Sequence, residues 1–207
     1  ALVEADGDHE AAAQALREKG LAKAAGRSDR DNTEGAIGLA ATIDRASLVH
    51  LRCETDFSAK SDGFVSLVDE LASAVLEEGE TALEARTATL DDLRLSTKEN
   101  CEVGRVALVE AAAGNLVDTY LHRQDGRGVN GVVVEASGID QETLHQIALH
   151  IAFAKPTVLS RDEVPPNLVE TERAALLDIT KAEGKPEQAW DKIVEGRLSA
   201  WFRETVL

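Results

Sequence analysis

An acid, an aromatic ring and two hydroxyls stand together in Thr55-Asp56-Phe57-Ser58, at a point where one hydrophobic period has stopped and the next has not begun. Upstream, Val49, Leu51 and Cys53 alternate with His50 and Arg52; downstream, Phe64, Leu67, Val68, Leu71, Ala72 and Val75 recur at helical spacing. Phe57 fits neither pattern. A loop between strand and helix can push Asp56 and Phe57 outward, presenting a charge beside an aromatic ring. The plainer alternative is that Phe57 plugs the gap between the two elements, and the pattern leaves both open.

Other residue types offer less. The five histidines, His9, His50, His122, His145 and His150, are scattered, and no Cys/His spacing matches a zinc site. His145 and His150, the nearest pair, point about 140° apart on a helix and cannot share one ion. Cys53 alternates with core residues and Cys101 sits between Asn100 and Glu102, so neither thiol has the electropositive surroundings that a nucleophile needs. A cysteine hydrolase is the remote alternative. Gly126-Arg127-Gly128 and Gly131 lack the following helix of a phosphate-binding loop. His150 falls about 100° from the apolar centre of its helix, at the shoulder, where an imidazole is half-buried or offered to a docking partner.

The elements that must position these residues read as α+β. Asp8 can cap a short helix that Gly20 is placed to end, and residues 21–35 lack apolar periodicity and read as a linker. Ile37 to Ile43 and Leu48 to Cys53 form a hairpin, followed by a helix from about Ser61 to Glu77 and a weakly amphipathic stretch from Thr81 to Ser96. Arg105–Glu110 and Leu116–His122 read as a second hairpin around Ala113-Gly114-Asn115, with a further strand at Val129–Ala136 and a helix at Gln141–Ala154. Helices close the chain, one begun by Pro166 and one carrying both tryptophans, Trp190 and Trp201, which are expected to pack on a core or a neighbouring helix. This gives an incomplete helical segment at 1–20, a linker at 21–35, and core subdomains at 36–104 and 105–207.

Composition narrows the function. The chain has 207 residues, 43% hydrophobic, enough for one substantial core or two small ones. Its 38 acids against 22 bases give a net charge of −16, which repels phosphate backbones and argues against direct nucleic-acid binding. No stretch approaches the roughly 20 apolar residues of a membrane span. Two cysteines make no disulfide framework, and a reducing cytoplasm is the simplest setting. Methionine is absent, and Ala1 to Ala5 read as the end of a helix that starts upstream.

Cys53 to Lys60 resembles the Thr-Asp-Phe-Val loop of the elongation factor Ts family, bacterial nucleotide exchange factors for the GTPase elongation factor Tu. Residues 1–8 and 15–20 are similar to the second and third helices of that family's ubiquitin-associated-like N-terminal domain. Leu149-His150-Ile151-Ala152, Asp162-Glu163-Val164-Pro165, Glu183-Gly184-Lys185-Pro186-Glu187 and Lys192 to Leu198 follow the family in order. Ser58 stands where valine is usual, residues 79–105 look short, and Lys98-Glu99-Asn100 matches the family only partly. The resemblance implies that Thr55, Asp56, Phe57 and Ser58 act near the partner's magnesium and phosphate site, with His150 and Gly131 as further partner contacts. It implies no covalent chemistry, so no enzyme, and no cofactor or metal of the chain's own; a non-exchanging binding module for the same GTPase is the runner-up, and a homodimer is left open.

Overall fold

Alternation of period two becomes a hairpin. In a computed structural model that describes residues 1–207, β1 (Glu34–Ala41) and β2 (Arg45–Cys53) run antiparallel, with Ile37 opposite His50 and Leu39 opposite Leu48. Thr42 closes the turn, donating to Asp44 Oδ1 at 2.9 Å and accepting from the Arg45 amide at 3.1 Å. A short helical turn, α2 (Asp56–Ala59), leads into α3 (Asp62–Glu78), whose Phe64, Leu67, Val68, Leu71, Ala72 and Val75 are all buried. They meet Val49, Leu51 and Cys53 from β2 in one core, each large side chain contributing about 1.5–3 kcal/mol by leaving water. At Gly38 the missing side chain lets α3 approach, because a Cβ there would strike the Val68 carbonyl. Ser47 Oγ, fully buried on β2, donates to the Ala72 carbonyl at 2.6 Å and satisfies itself on the same helix.

The weakly amphipathic stretch resolves into α4 (Ala82–Ala85) and α5 (Thr87–Thr97). Next comes β3 (Glu102–Glu110), which corrects the expected second hairpin: it pairs antiparallel with β2, giving sheet order β1-β2-β3. The second hairpin is β4 (Leu116–Gln124) with β5 (Arg127–Ala136), closed by Asp125-Gly126. Both turn residues have positive φ, 53° and 82°, the backbone that a two-residue hairpin with the right twist requires and that an Asp-Gly pair adopts readily. Ala111 to Asn115 instead carries the chain between sheets, with Glu135 accepting from the Ala112 amide at 2.8 Å and Asn115 Nδ2 at 2.7 Å. The strand expected to open the second subdomain thus completes the first sheet. β5 packs across β1, where Gly128 leaves room for the Ile37 carbonyl and Arg127 donates to the Gly35 carbonyl at 2.7 Å.

At the N-terminus, α1 (His9–Ala25) is capped by Asp8, which accepts from the amides of Glu10 and Ala11. It continues past Gly20, because that glycine faces the Leu95 side chain of α5 and its missing Cβ makes the approach possible. Residues 1–7 form successive turns rather than a helix end.

Contacts divide the chain into residues 1–148 and 149–207, and α6 (Gln141–Ala154) begins in the first and ends in the second. In the second unit α7 (Pro166–Ala182) packs with α8 (Trp190–Thr205) over Val194, Leu198 and the fully buried Thr180. Thr180 Oγ1 donates to the Leu176 carbonyl at 2.7 Å, and Arg197 forks onto both Glu183 oxygens at 2.8 and 2.7 Å. Trp190 lies under the Lys181 ammonium, 5.4 Å from the ring centre, and Trp201 packs against Phe202 at 5.0 Å, so both rings are used locally. No helix is long and apolar enough to cross a membrane.

Candidate functional site

Thr55 to Ser58 do not form an irregular loop. Thr55, extended at φ −126° and ψ 152°, is an N-cap whose Oγ1 accepts from the Ser58 amide, and Asp56 to Ala59 make one helical turn. Ala59 is buried and anchors the turn's inner side, while Phe57 is 85% exposed on its outer side. The gap-filling alternative for Phe57 is therefore wrong: Phe64, fully buried on α3, fills the core below. Helical geometry decides this, since in one turn Phe57 and Ala59 cannot share a face.

Charge surrounds the ring. Asp56 receives a 2.8 Å bond from Lys60 Nζ, and this holds its carboxyl below the ordinary aspartate range. The same ammonium reaches Asp125 at 3.2 Å, linking the turn to the β4–β5 hairpin. Beneath, Glu99 accepts from the amides of Glu54 and Thr55, both at 3.1 Å, and from Thr55 Oγ1 at 2.6 Å and Ser58 Oγ at 2.7 Å. Burial would raise the Glu99 pKa, but the bonds from Thr55 and Ser58 outweigh it and the carboxyl stays below its usual range. Asn100 continues the clasp, its amide donating to Glu54 Oε1 at 2.7 Å and its side chain to the Ser28 and Arg30 carbonyls at 3.2 and 2.8 Å.

The structure thus brings Thr55, Asp56, Phe57 and Ser58 onto one turn, while Gly131 and His150 lie elsewhere. Gly131, on β5, borders a cleft of about 180 Å³ with Ile37, Leu48, His50 and Arg105, and a Cβ there would press on Leu48 and Ile37 side chains at 2.9 and 3.0 Å. The His50 imidazole beside it is held below its ordinary pKa, chiefly by burial and then by Arg52 and Arg105. His150, in the second unit, is exposed rather than half-buried, one helical turn before Phe153, which is 88% exposed. Cys53 and Cys101 are fully buried, and burial pushes the Cys53 thiol up to about 12, the opposite of an activated nucleophile. No three His, Cys, Asp or Glu side chains gather as metal ligands.

The family model for elongation factor Ts matches residues 54–207, opening at the turn just described. The chain belongs to the elongation factor Ts family. Elongation factor Ts of Clavibacter michiganensis subsp. michiganensis is 43% identical over 217 residues, which take in all of this chain and 78% of that protein. The proteins of the same name from Mycobacterium marinum and Cutibacterium acnes are 42% and 40% identical, again over all of this chain and 78% of each relative. Membership places the chain among the guanine nucleotide exchange factors of translation elongation. Two family stretches acquire a structural reason here: Glu183 and Arg197 are each other's ion-pair partners, and Glu99 holds the Thr55 turn. Glu99 went unnoticed as a site residue in the sequence. Its signal was the partial match at Lys98-Glu99-Asn100, more than forty positions from the turn it grips.

Proposed function

We propose that this chain binds elongation factor Tu carrying GDP and promotes release of the nucleotide, with the α2 turn entering beside the partner's magnesium and phosphate site. The observation that carries the reading is a phenylalanine 85% exposed on a braced turn, with a carboxylate next to it. An exposed ring gains nothing in the free protein, whereas burial in a partner's pocket returns about 2 kcal/mol. Asp56 supplies negative charge where a bound cation would be displaced. Thermodynamically the chain favours the nucleotide-free partner over its GDP form, so each ligand weakens the other's hold. His150 and Gly131 are proposed as further contacts, His150 because its imidazole is solvent-facing and Gly131 because it borders a cleft. No step makes or breaks a covalent bond in this protein, and the magnesium is the partner's.

Catalytic amounts of the protein should accelerate release of labelled GDP from elongation factor Tu without changing the final binding equilibrium. Unchanged release at saturating protein, together with a tight complex by titration, would instead identify a binding module that does not exchange nucleotide.

A further inference from the structure

We infer that Glu99 is a positioning residue for nucleotide exchange: its ionised carboxylate fixes the α2 turn so that Phe57 and Asp56 arrive at the partner already oriented. The inference rests on the exchange reading of the α2 turn and adds to it a residue outside the turn. Four donors converge on one carboxylate, the amides of Glu54 and Thr55 at 3.1 Å and the hydroxyls of Thr55 and Ser58 at 2.6 and 2.7 Å. All four are accepted only by the ionised form, and hydrogen bonds to a charge are the stronger kind.

These bonds are spent on one place. A four-residue helix has too few internal bonds to hold itself, so without Glu99 the turn depends on the Thr55 cap, the burial of Ala59 and the exposed Lys60 pairs with Asp56 and Asp125. The core under it, built on Phe64, Leu71 and Val49, uses none of the Glu99 contacts. Loss of Glu99 therefore loosens the presentation of Phe57 while leaving the fold. Ser58 adds to the device, because its hydroxyl donates to the carboxylate where a valine would have nothing to give. Through Asn100 the clasp also reaches the Ser28 and Arg30 carbonyls, which anchors it on the far side.

A loosely held wedge still finds the partner but is less often in the productive orientation, so the loss belongs in turnover rather than in docking. The test is steady-state exchange of a fluorescent GDP analogue from elongation factor Tu by the wild type and by Glu99→Gln, whose amide nitrogen cannot accept. The expected result is a fall in kcat of about tenfold with KM held within about twofold. Equal kcat, or a loss confined to KM, overturns the inference. Inactive wild type would sink the exchange reading itself, which keeps the two failures distinct. Should Glu99→Gln not fold, Ser58→Ala removes one hydroxyl donor to the carboxylate while sparing the Thr55 cap, and should lower kcat about threefold; unchanged kcat in that variant overturns the inference as well. A fluorine label on Phe57 adds a readout that a purely structural role would not move: its resonance should broaden or shift toward the random-coil position in Glu99→Gln while core amide shifts stay in place.

Discussion

Phe57 and Cys53 lie four residues apart and have opposite fates, because a strand that points Cys53 inward ends before a helical turn points Phe57 outward. Phe57→Ala should cut the exchange rate strongly and leave the thermal midpoint of the free protein nearly unchanged, since an 85% exposed ring removes no core on truncation. A loss of stability of about 3 kcal/mol or more in that variant, the cost of emptying a core site, would show the ring to be structural after all. Cys53 gives a pH test. Its thiol pKa is pushed up to about 12 in the folded protein by burial. As pH rises above the ordinary thiol range of about 8–9, the unfolded chain loses this proton while the folded one keeps it, and stability falls by up to about 1.4 kcal/mol per pH unit until the folded pKa is reached. The stability advantage of wild type over Cys53→Ala, from urea unfolding at about pH 8 and about pH 10.5, should therefore shrink at the higher pH; a constant gap would contradict the buried thiol. At this scale the sequence was readable for Cys53, whose alternation with Val49 and Leu51 is local. It was ambiguous for Phe57, because one residue outside any period can face either way. For Glu99 the function lies in where its donors arrive from, and that is a property of the fold.

Glycines mark where elements touch, and they sort into two kinds of contact. A Cβ at Gly128 would meet the backbone carbonyl of Ile37, which cannot move without β1, whereas one at Gly131 would meet methyl groups of Leu48 and Ile37, of which the Leu48 end can rotate away. Gly128→Ala should accordingly cost about 1–3 kcal/mol of unfolding free energy, the range for overpacking, and Gly131→Ala less than about 1 kcal/mol. Equal losses in urea titrations would mean that β5 is free to slide on β1. If Gly131→Ala keeps its stability yet weakens binding to elongation factor Tu, its role as a partner contact is separated from packing. Element types followed from period: the α3 core face and the span of α6 are as the spacing predicts, because both faces are set by residues within a few turns. Pairing of β3 did not follow. A strand carries no mark of its partner beyond its turns, and the deciding mark was Asp125-Gly126, whose positive φ values make the tight hairpin and leave β3 to β2. The end of α1 was misplaced for a similar reason, since a glycine stops a helix only where it turns left-handed, and Gly20 keeps a negative φ while packing against Leu95.

Across the whole chain the apolar interior is unevenly shared. Residues 1–148 hold the continuous core around Phe64, Leu71, Val49 and Leu51, whereas in residues 149–207 the buried apolar side chains are Val164, Val194 and Leu198, joined by the polar Thr180. The second unit leans instead on ion pairs such as Arg197 with Glu183 and Arg173 with Glu195, all at least partly solvent-exposed and so each worth about 1 kcal/mol or less. With a net charge of −16, moderate salt should help the chain by screening acid repulsion, though it also weakens those pairs. A unit with so few buried side chains should open before the larger one. The chain carries its own reporter for this, because both tryptophans, Trp190 and Trp201, belong to the second unit, while far-ultraviolet circular dichroism follows helices and strands in both. In a urea titration the tryptophan fluorescence transition should come at lower denaturant than the main circular dichroism transition, which would then show an early shoulder from α7 and α8. Coincident midpoints with one common slope would mean that the two units unfold as a single cooperative body, and the uneven core would then have no thermodynamic consequence.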